Sequence, residues 1–165
     1  MPKQIILGID PGFARTGWGV IEVAGCKQRV LNYGCIETKA GMEFSDRLEI
    51  LHNDLLRIIK KYQPDFVGIE QLFFCKNVTT ALNVGQARGV VLLTLKLAKI
   101  AFMEFTPLQI KQAICGYGKA DKSQIQKMVK TIFNLKQIPK PDDAADALAV
   151  AFCAAGCCKL LRLQK

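Results

Sequence analysis

A short apolar segment near the start of the chain, residues 5–12, constrains the fold more than any other stretch. Residues Ile5 to Ile9 are apolar apart from Gly8, and they lead directly into Asp10 and a Pro-Gly turn. Because apolar side chains occupy both alternating positions, we expect a strand covered on both faces, at the centre of a sheet. A carboxylate that ends such a strand is costly without a cation beside it, and no Lys or Arg lies within its last turn. Asp10 is therefore predicted to bind a metal ion.

Two later segments bring further carboxylates to the ends or faces of predicted elements. Residues 64–70 form a second short apolar strand that also ends in an acid, Glu70. The last predicted helix opens near Asp142 and carries Asp143 and Asp146 on one face, three residues apart. Acids favour a helix N-terminus, and Asp142 suits the N-cap, but this preference does not explain Asp146, which lies a full turn inside the helix. We expect an acid in that position to face a functional site.

Four carboxylates that converge without a basic partner would form a set of oxygen ligands suited to Mg²⁺, with Mn²⁺ as an alternative. Two such ions, about 4 Å apart, can activate water and stabilise the leaving oxygen in phosphodiester cleavage. Spacing alone does not decide whether Asp142 or Asp143 completes the set. In either case the pattern predicts a metal-dependent nuclease.

The charge distribution supports a polyanionic substrate. The net charge is +9, and a large share of it lies between Pro107 and Lys140, where Asp121 is the one acid. Seven lysines occupy this segment, at positions 111, 119, 122, 127, 130, 136 and 140. Net charge also favours solubility, but such a concentration of lysines is more typical of a nucleic-acid-binding surface.

The order of the predicted elements indicates an α/β domain. A strand, a hairpin in residues 16–38 and an amphipathic helix in residues 44–62 are followed by alternating strands and helices. The predicted fold is a five-stranded mixed sheet flanked by helices. We assign residues 1–156 to this domain and residues 157–165 to a short basic C-terminal tail.

Two predicted helices have features that bear on packing and on helix boundaries. The helix from about Val78 to Lys99 carries Ala81, Gly85 and Gly89 every four residues, a small-residue ridge suited to close approach by either the sheet or a second subunit. Another helix begins at Asp121, which can cap it with Gln124 as its reciprocal partner.

The cysteine content and the apolar runs favour a cytoplasmic protein. Seven cysteines, odd in number and without a C-x-x-C pair, are expected to be reduced thiols. A zinc site at Cys153, Cys157 and Cys158 is disfavoured because no histidine or acid follows at ligand spacing. The first predicted strand starts within a few residues of Met1, so no secretory signal is expected. The longest uncharged apolar run, residues 147–158, is shorter than the roughly 20 residues of a membrane span.

Several motifs, taken in order, resemble the RuvC family of Holliday junction resolvases. They are Gly8-Ile9-Asp10-Pro11-Gly12 with Thr16-Gly17, Ile69-Glu70-Gln71, Gly85-Gln86-Ala87-Arg88-Gly89, Lys111-Gln112 and Asp143-Ala144-Ala145-Asp146-Ala147-Leu148-Ala149. The resemblance extends from the first strand to about Ala154. It implies a ribonuclease H-like fold, a homodimer and Mg²⁺-dependent cleavage of four-way DNA junctions by paired nicks in strands of like polarity. It also implies a branch-migration helicase complex, RuvA and RuvB, as a partner.

The resemblance also implies which carboxylates act in catalysis. It identifies Asp143, rather than Asp142, as the partner of Asp146. The implied catalytic and metal-binding set is therefore Asp10, Glu70, Asp143 and Asp146. The family pattern suggests nothing for the segment after Gly156.

Three further residues match family positions that contact DNA. Phe73 matches an aromatic residue that stacks on and unpairs a base near the crossover. A core position is the competing interpretation of Phe73, and Phe74 competes for either role. Lys111 and Lys122 match basic positions near the cut phosphate, although each could instead be a solvated lysine on a basic face.

Three other functions are compatible with parts of the pattern. The turn from Asp10 to Gly17 also resembles the phosphate-binding turn of the sugar-kinase, actin and Hsp70 ATPases, which need two such domains. A module that binds branched DNA without cutting it has no use for four acids beside DNA phosphates. A related nuclease that acts on RNA is the nearest alternative, and the aromatic after Glu70 and the lysine-rich segment favour DNA junctions over it.

Overall fold

The computed structural model describes residues 3–71 and 78–163, although not the side chains of residues 78–80 and 158–163. Five strands lie in these ranges: β1 (Gln4–Asp10), β2 (Arg15–Ala24), β3 (Lys27–Glu37), β4 (Phe66–Glu70) and β5 (Phe102–Phe105). Five helices lie in the same ranges: α1 (Phe44–Tyr62), α2 (Val78–Leu97), α3 (Pro107–Cys115), α4 (Lys122–Ile132) and α5 (Asp142–Leu163). None of these helices is both long enough and apolar enough to cross a membrane.

The strands form one mixed sheet in the order β3-β2-β1-β4-β5. β1, which contains the first apolar segment, pairs antiparallel with β2 and parallel with β4. It therefore lies at the centre of the sheet, as predicted. β2 and β3 form the predicted antiparallel hairpin, with Gly25 in the left-handed conformation at its turn. The predicted five-stranded mixed sheet flanked by helices is confirmed.

The alternation of side chains along β1 divides the core into two layers. Leu7 and Ile9 face α1 and α2, where they pack with residues such as Leu55 and Val91. Ile6 faces the opposite layer, which is built mainly by α3, α4 and α5. Because side chains of a strand alternate between faces, Gly8 and Asp10 share the face of Ile6 and lie under α5.

Four glycines let α5 lie directly against the sheet. A Cβ atom on Gly8 would collide with the carbonyl oxygen of Ala147, and one on Gly17 would collide with that of Asp143. The other two, Gly19 and Gly68, are covered by side chains of α5 in the same way. We call Gly8, Gly17, Gly19 and Gly68 the glycine floor. It removes the layer of side chains that normally separates a helix from a sheet, so the start of α5 is held against β1 and β2.

Helix α2 has one buried face and one open face. Ala87, Val91 and Leu95 are fully buried against the sheet and α1. The opposite side carries an open α2 face made of residues that lack such packing: Leu82, Gly85, Gly89, Leu93 and Leu97. Its three leucines are 58–66% exposed, and a Cβ on either glycine would meet no atom within 4 Å. The small-residue ridge is therefore not used for packing against the sheet in the part of the chain that the structure describes.

Several predicted boundaries can be compared with the structure. Asp121 caps α4, and its side chain and that of Gln124 make the predicted reciprocal hydrogen bonds. The prediction of Asp142 as N-cap is wrong by one position, because Asp142 is the first residue of α5. The division at residue 156 is not marked by a break in secondary structure, since α5 continues to Leu163.

Candidate active site

The structure brings the four predicted carboxylates to one end of the sheet. Asp10 ends β1 and Glu70 ends β4, and these two strands are parallel neighbours. The first turn and a half of α5 supplies Asp143 and Asp146, above the same edge. The glycine floor fixes this arrangement, because the backbone at Asp143 rests directly on Gly17, the cross-strand partner of Asp10.

Burial and like charge combine to disfavour ionisation of the two strand acids. Burial raises the pKa of Asp10, and the nearby carboxylates of Glu70, Asp146 and Asp143 raise it further. Burial also raises the pKa of Glu70, as does Asp146, and a hydrogen bond with Asp10 partly offsets these effects. Two acids that are forced together in this way gain stability from any cation that neutralises them.

Lys122, the first residue of α4, contacts this cluster, so the expectation that the acids converge without a basic partner is wrong. Its Nζ lies 3.1 Å from Oδ2 of Asp146 and 3.7 Å from Oδ2 of Asp142. Partial burial opposes protonation of Lys122, but Asp146 and Asp142 outweigh it and raise the pKa of this ammonium group. Burial raises the pKa of Asp146, while Lys122 acts against that rise.

A cleft of about 200 Å³ opens beside the acids. Its walls combine two of the carboxylates, Glu70 and Asp146, with the side chains of Lys111 and Lys122. Apolar residues of α3, α4 and α5 complete the lining, among them Ile110. Both lysines predicted to contact DNA thus lie beside the acids and line the same cleft.

The turn that follows Asp10 is closed by a buried hydroxyl. Thr16, which is 1% exposed, donates a hydrogen bond from Oγ1 to the carbonyl oxygen of Gly12 at 2.7 Å. The backbone N–H of Gly12 donates in turn to Oγ1 of Thr16 at 3.4 Å. These hydrogen bonds of Thr16 fix the backbone just beyond Asp10.

One residue near the site was not found from the sequence. The Sγ of Cys35, on β3, donates a long hydrogen bond to Oδ2 of Asp143 at 3.9 Å. Burial and the charge of Asp143 raise the pKa of this thiol, so it stays protonated and can donate. Cys35 pairs with Gly17 across β2 and β3, and only this register places it beside α5.

The remaining predicted site residue, Phe73, lies outside the described residues, as do Phe74 and Cys75. The side chain of Cys158, a member of the disfavoured zinc site, likewise lies outside the described side chains. Among the cysteines that are described, Cys26, Cys35, Cys115, Cys153 and Cys157 form no disulfide.

The chemistry of the acids fits a divalent cation. Within the described ranges, no three Asp, Glu, His or Cys side chains lie close enough together to coordinate a metal ion as they stand. Burial, the first cause of the raised pKa values of Asp10, Glu70 and Asp146, disfavours their ionisation, and a bound cation would offset that cost. Oxygen ligands of this kind suit a hard cation such as Mg²⁺ or Mn²⁺.

Comparison with known proteins leads to one family. The model of the family "Crossover junction endodeoxyribonuclease RuvC" matches residues 6–154. A protein of that name from Halothermothrix orenii is 55% identical over 150 residues, 91% of each chain. One from Ruminiclostridium cellulolyticum is 57% identical over 150 residues, 91% of this chain and 90% of the relative.

The solved structures agree with the sequence comparisons. Thermus thermophilus RuvC in complex with a Holliday junction substrate superimposes with a TM-score of 0.90 at 34% identity, and 95% of this chain and 96% of that chain are covered. The yeast mitochondrial Holliday junction resolvase Ydc2, at a TM-score of 0.66 and 14% identity, shares the fold, with 90% of this chain and 76% of that chain covered. The predicted ribonuclease H-like fold is thereby confirmed. The chain belongs to the RuvC family of crossover junction endodeoxyribonucleases.

Proposed function

We propose that this protein is a Mg²⁺-dependent endonuclease that resolves four-way DNA junctions by paired, symmetric nicks during recombination and repair. The observation that carries the proposal is the cleft in which Glu70 and Asp146 face Lys111 and Lys122. It combines ligands for a divalent cation with contacts for a phosphate. The related Thermus thermophilus RuvC, whose structure holds a Holliday junction substrate, supports the choice of DNA substrate.

Each part of the site has a separate task in this proposal. Asp10, Glu70, Asp143 and Asp146 would hold the divalent cations. When bound, these ions supply the polarisation that activates water and stabilises the leaving oxygen. Lys111 and Lys122 hold the phosphate that is cut, and Thr16 and Cys35 position the acids next to them. The shape of the site therefore orients the phosphodiester, and the lysines neutralise its charge.

Contacts away from the cut are proposed to come from the lysine-rich segment, residues 107–140, and from Phe73. Phe73 would stack on a base that is unpaired at the crossover, a contact worth about 1–3 kcal/mol. Phe73→Ala should then bind junctions normally but cut them slowly, and a junction already mismatched at the crossover should restore the rate. A lower melting temperature with normal cleavage in the cold would instead assign Phe73 to the core and direct attention to Phe74.

We also propose a two-fold homodimer that is formed through the open α2 face. Symmetric nicks need two active sites, and one chain carries one set of acids, so a second copy has to supply the other. The exposed leucines of this face and the two unpacked glycines between them support a helix–helix contact.

Gly85→Leu should give a folded monomer that nicks poorly. Gly156→Leu is the matched control, because a Cβ there also meets no atom within 4 Å. A wild-type protein that sediments as a monomer yet makes paired nicks would contradict the dimer.

We propose the cellular setting by analogy with the family. A branch-migration helicase complex, RuvA and RuvB, would deliver junctions to the enzyme in the cytoplasm. The described cysteines, all of them free, are consistent with a reducing compartment.

One assay tests the proposed function against its alternatives. Purified protein is incubated with an end-labelled four-way junction, a linear duplex of the same sequence and an RNA–DNA hybrid, each with Mg²⁺, Mn²⁺ or a chelator. Paired cuts in the junction that require the cation support the proposal. Preferred cleavage of the hybrid would favour an RNA-processing nuclease, and binding without cuts would favour a non-cleaving module.

A further inference from the structure

Lys122 contacts two acids that differ in burial and in their proposed role. Asp146, whose side chain is 22% exposed, belongs to the proposed metal-binding set, and its Oδ2 is the nearer contact at 3.1 Å. Asp142, whose side chain is 59% exposed, lies outside that set, and its Oδ2 is 3.7 Å away. Both acids start from the beginning of α5, so a small movement of one ammonium group exchanges one partner for the other.

The contact with Asp146 has a consequence for the metal site. An ammonium group within hydrogen-bond distance of a carboxylate oxygen neutralises it and occupies one of the directions from which a cation would approach. A divalent ion that takes this oxygen as a ligand therefore competes with the Nζ of Lys122. The competing ammonium group needs another counter-ion at the moment it withdraws.

On the basis of the proposed divalent-cation site, we propose that Lys122 is a movable counter-ion and that Asp142 is the positioning residue that receives it. Without metal, Lys122 neutralises Asp146. When a divalent cation binds Asp146, the ammonium group would move toward Asp142 and remain in the cleft that Lys122 lines, where it would face a bound phosphate. Asp142 thus lowers the cation concentration that the site requires, although it is not itself a ligand.

The proposal predicts opposite effects for the two partners. Lys122→Gln removes the competitor, so the protein should bind Mg²⁺ more tightly even though it cleaves more slowly. Asp142→Asn removes the alternative partner, so Lys122 stays on Asp146 and the protein should bind Mg²⁺ more weakly. Each change should be about two- to fivefold in the apparent Kd, the range that partly exposed ion pairs support.

The test measures metal binding in the absence of DNA and of cleavage. The melting temperature of the full chain is recorded against Mg²⁺ concentration, and repeated with Mn²⁺, to give an apparent Kd for each variant. Asp10→Asn identifies the signal that comes from the acid cluster, because it should lose most of the shift. Lys111→Gln is the matched control, since Lys111 lines the same cleft but forms no ion pair within the described ranges.

A double-mutant cycle separates the proposal from a simple effect of charge. Asp142→Asn should weaken binding in the wild type but change it little in the Lys122→Gln background. An equal effect of Asp142→Asn in both backgrounds would overturn the role of Asp142. A Lys122→Gln protein that binds Mg²⁺ no more tightly than Lys111→Gln would overturn the role of Lys122, while the proposed nuclease would stand. A wild-type protein whose melting temperature does not change with metal would overturn both the roles of these two residues and the proposed metal site.

Discussion

The two faces of the sheet solve the same packing problem in different ways. Toward α1 and α2 the sheet presents large apolar side chains such as Leu7 and Ile9, which interlock with Leu55 and Val91. Toward α5 it presents the glycine floor, and acids stand where the strands end. Buried apolar area stabilises the first face at about 25 cal/mol per Å². The second face gives up part of that gain and holds like charges together, as is common where a fold is built around a functional site. Mutations of the apolar side chains that face α1 and α2 should therefore affect mainly stability, whereas mutations of the glycine floor and the acids should affect activity.

The sharpest way to test this comparison is to change one residue on each face. Asp10→Asn should reduce cleavage by a factor on the order of 10³ or more, because the amide weakens metal coordination, and should leave junction binding intact. Leu55→Ala, at a fully buried position, should lower the free energy of unfolding by about 2–5 kcal/mol and keep its activity in the cold. Cleavage of an end-labelled junction and chemical denaturation measure the two effects. An Asp10→Asn protein with substantial activity would remove Asp10 from the site.

A second comparison replaces two glycines that differ only in their surroundings. In Gly17→Ala the new Cβ collides with the backbone at Asp143, so α5 must lift, and we expect lower stability with a loss of cleavage on the order of 10²-fold. In Gly85→Ala the new Cβ meets open space on a helix, which should stabilise the monomer fold by about 0.5–1 kcal/mol. Thermal melting and junction cleavage distinguish them. Equal activity in the two variants would show that the glycine floor does not set the position of the acids.

The acid cluster should also make stability depend on pH in the absence of metal. Burial and neighbouring acids raise the folded-state pKa of Asp10, so ionisation costs the folded state free energy as pH rises above the ordinary value of about 4. The wild-type protein in chelator should therefore melt at a lower temperature near neutral pH than Asp10→Asn does, by about 2–4 °C for each kcal/mol relieved. The difference should shrink in acid, where the carboxyl is protonated in both states. Added Mg²⁺ should stabilise the wild type and leave Asp10→Asn nearly unchanged.

The smallest expected effect concerns the lysines. Junction affinity should fall with salt, with a slope of about 0.9 per phosphate contact, and Lys122→Ala should lower the slope by about one contact or less. Lys60→Ala, an exposed lysine on α1 at the other side of the sheet, should leave the slope unchanged. A filter-binding titration at several salt concentrations measures both. An equal change in the two variants would place DNA contacts outside the cleft.

The parts of the site that the sequence predicted depend on local regularities. Asp10 and Glu70 could be located because each ends an apolar run, and a strand that ends in an acid keeps that acid at the edge of the sheet. Asp146 could be located because it interrupts an apolar helix. The choice of Asp143 over Asp142 needed the family pattern, since three-residue spacing by itself does not distinguish a ligand from an acid at a helix N-terminus.

The parts that were missed depend on long-range register. Cys35 reaches Asp143 only through the pairing of β3 with β2, and nothing near Cys35 in the sequence signals that contact. The contacts of Lys122 with Asp142 and Asp146 depend on how α4 packs against α5. The sequence also left open which side of α2 faces outward. Apolar residues occur on all sides of this helix, so no single apolar face identifies the buried side.

The close packing of α5 against the sheet has a consequence for folding during synthesis. All five strands leave the ribosome before α5, so the glycine floor and the apolar side chains beside it stay uncovered until residues 142–163 are synthesised. Asp143 and Asp146 arrive with the same helix that covers this surface. A nascent chain therefore gains its four proposed catalytic acids only at the step that completes the core, and we expect an incomplete chain to be inactive and to expose apolar surface that favours aggregation.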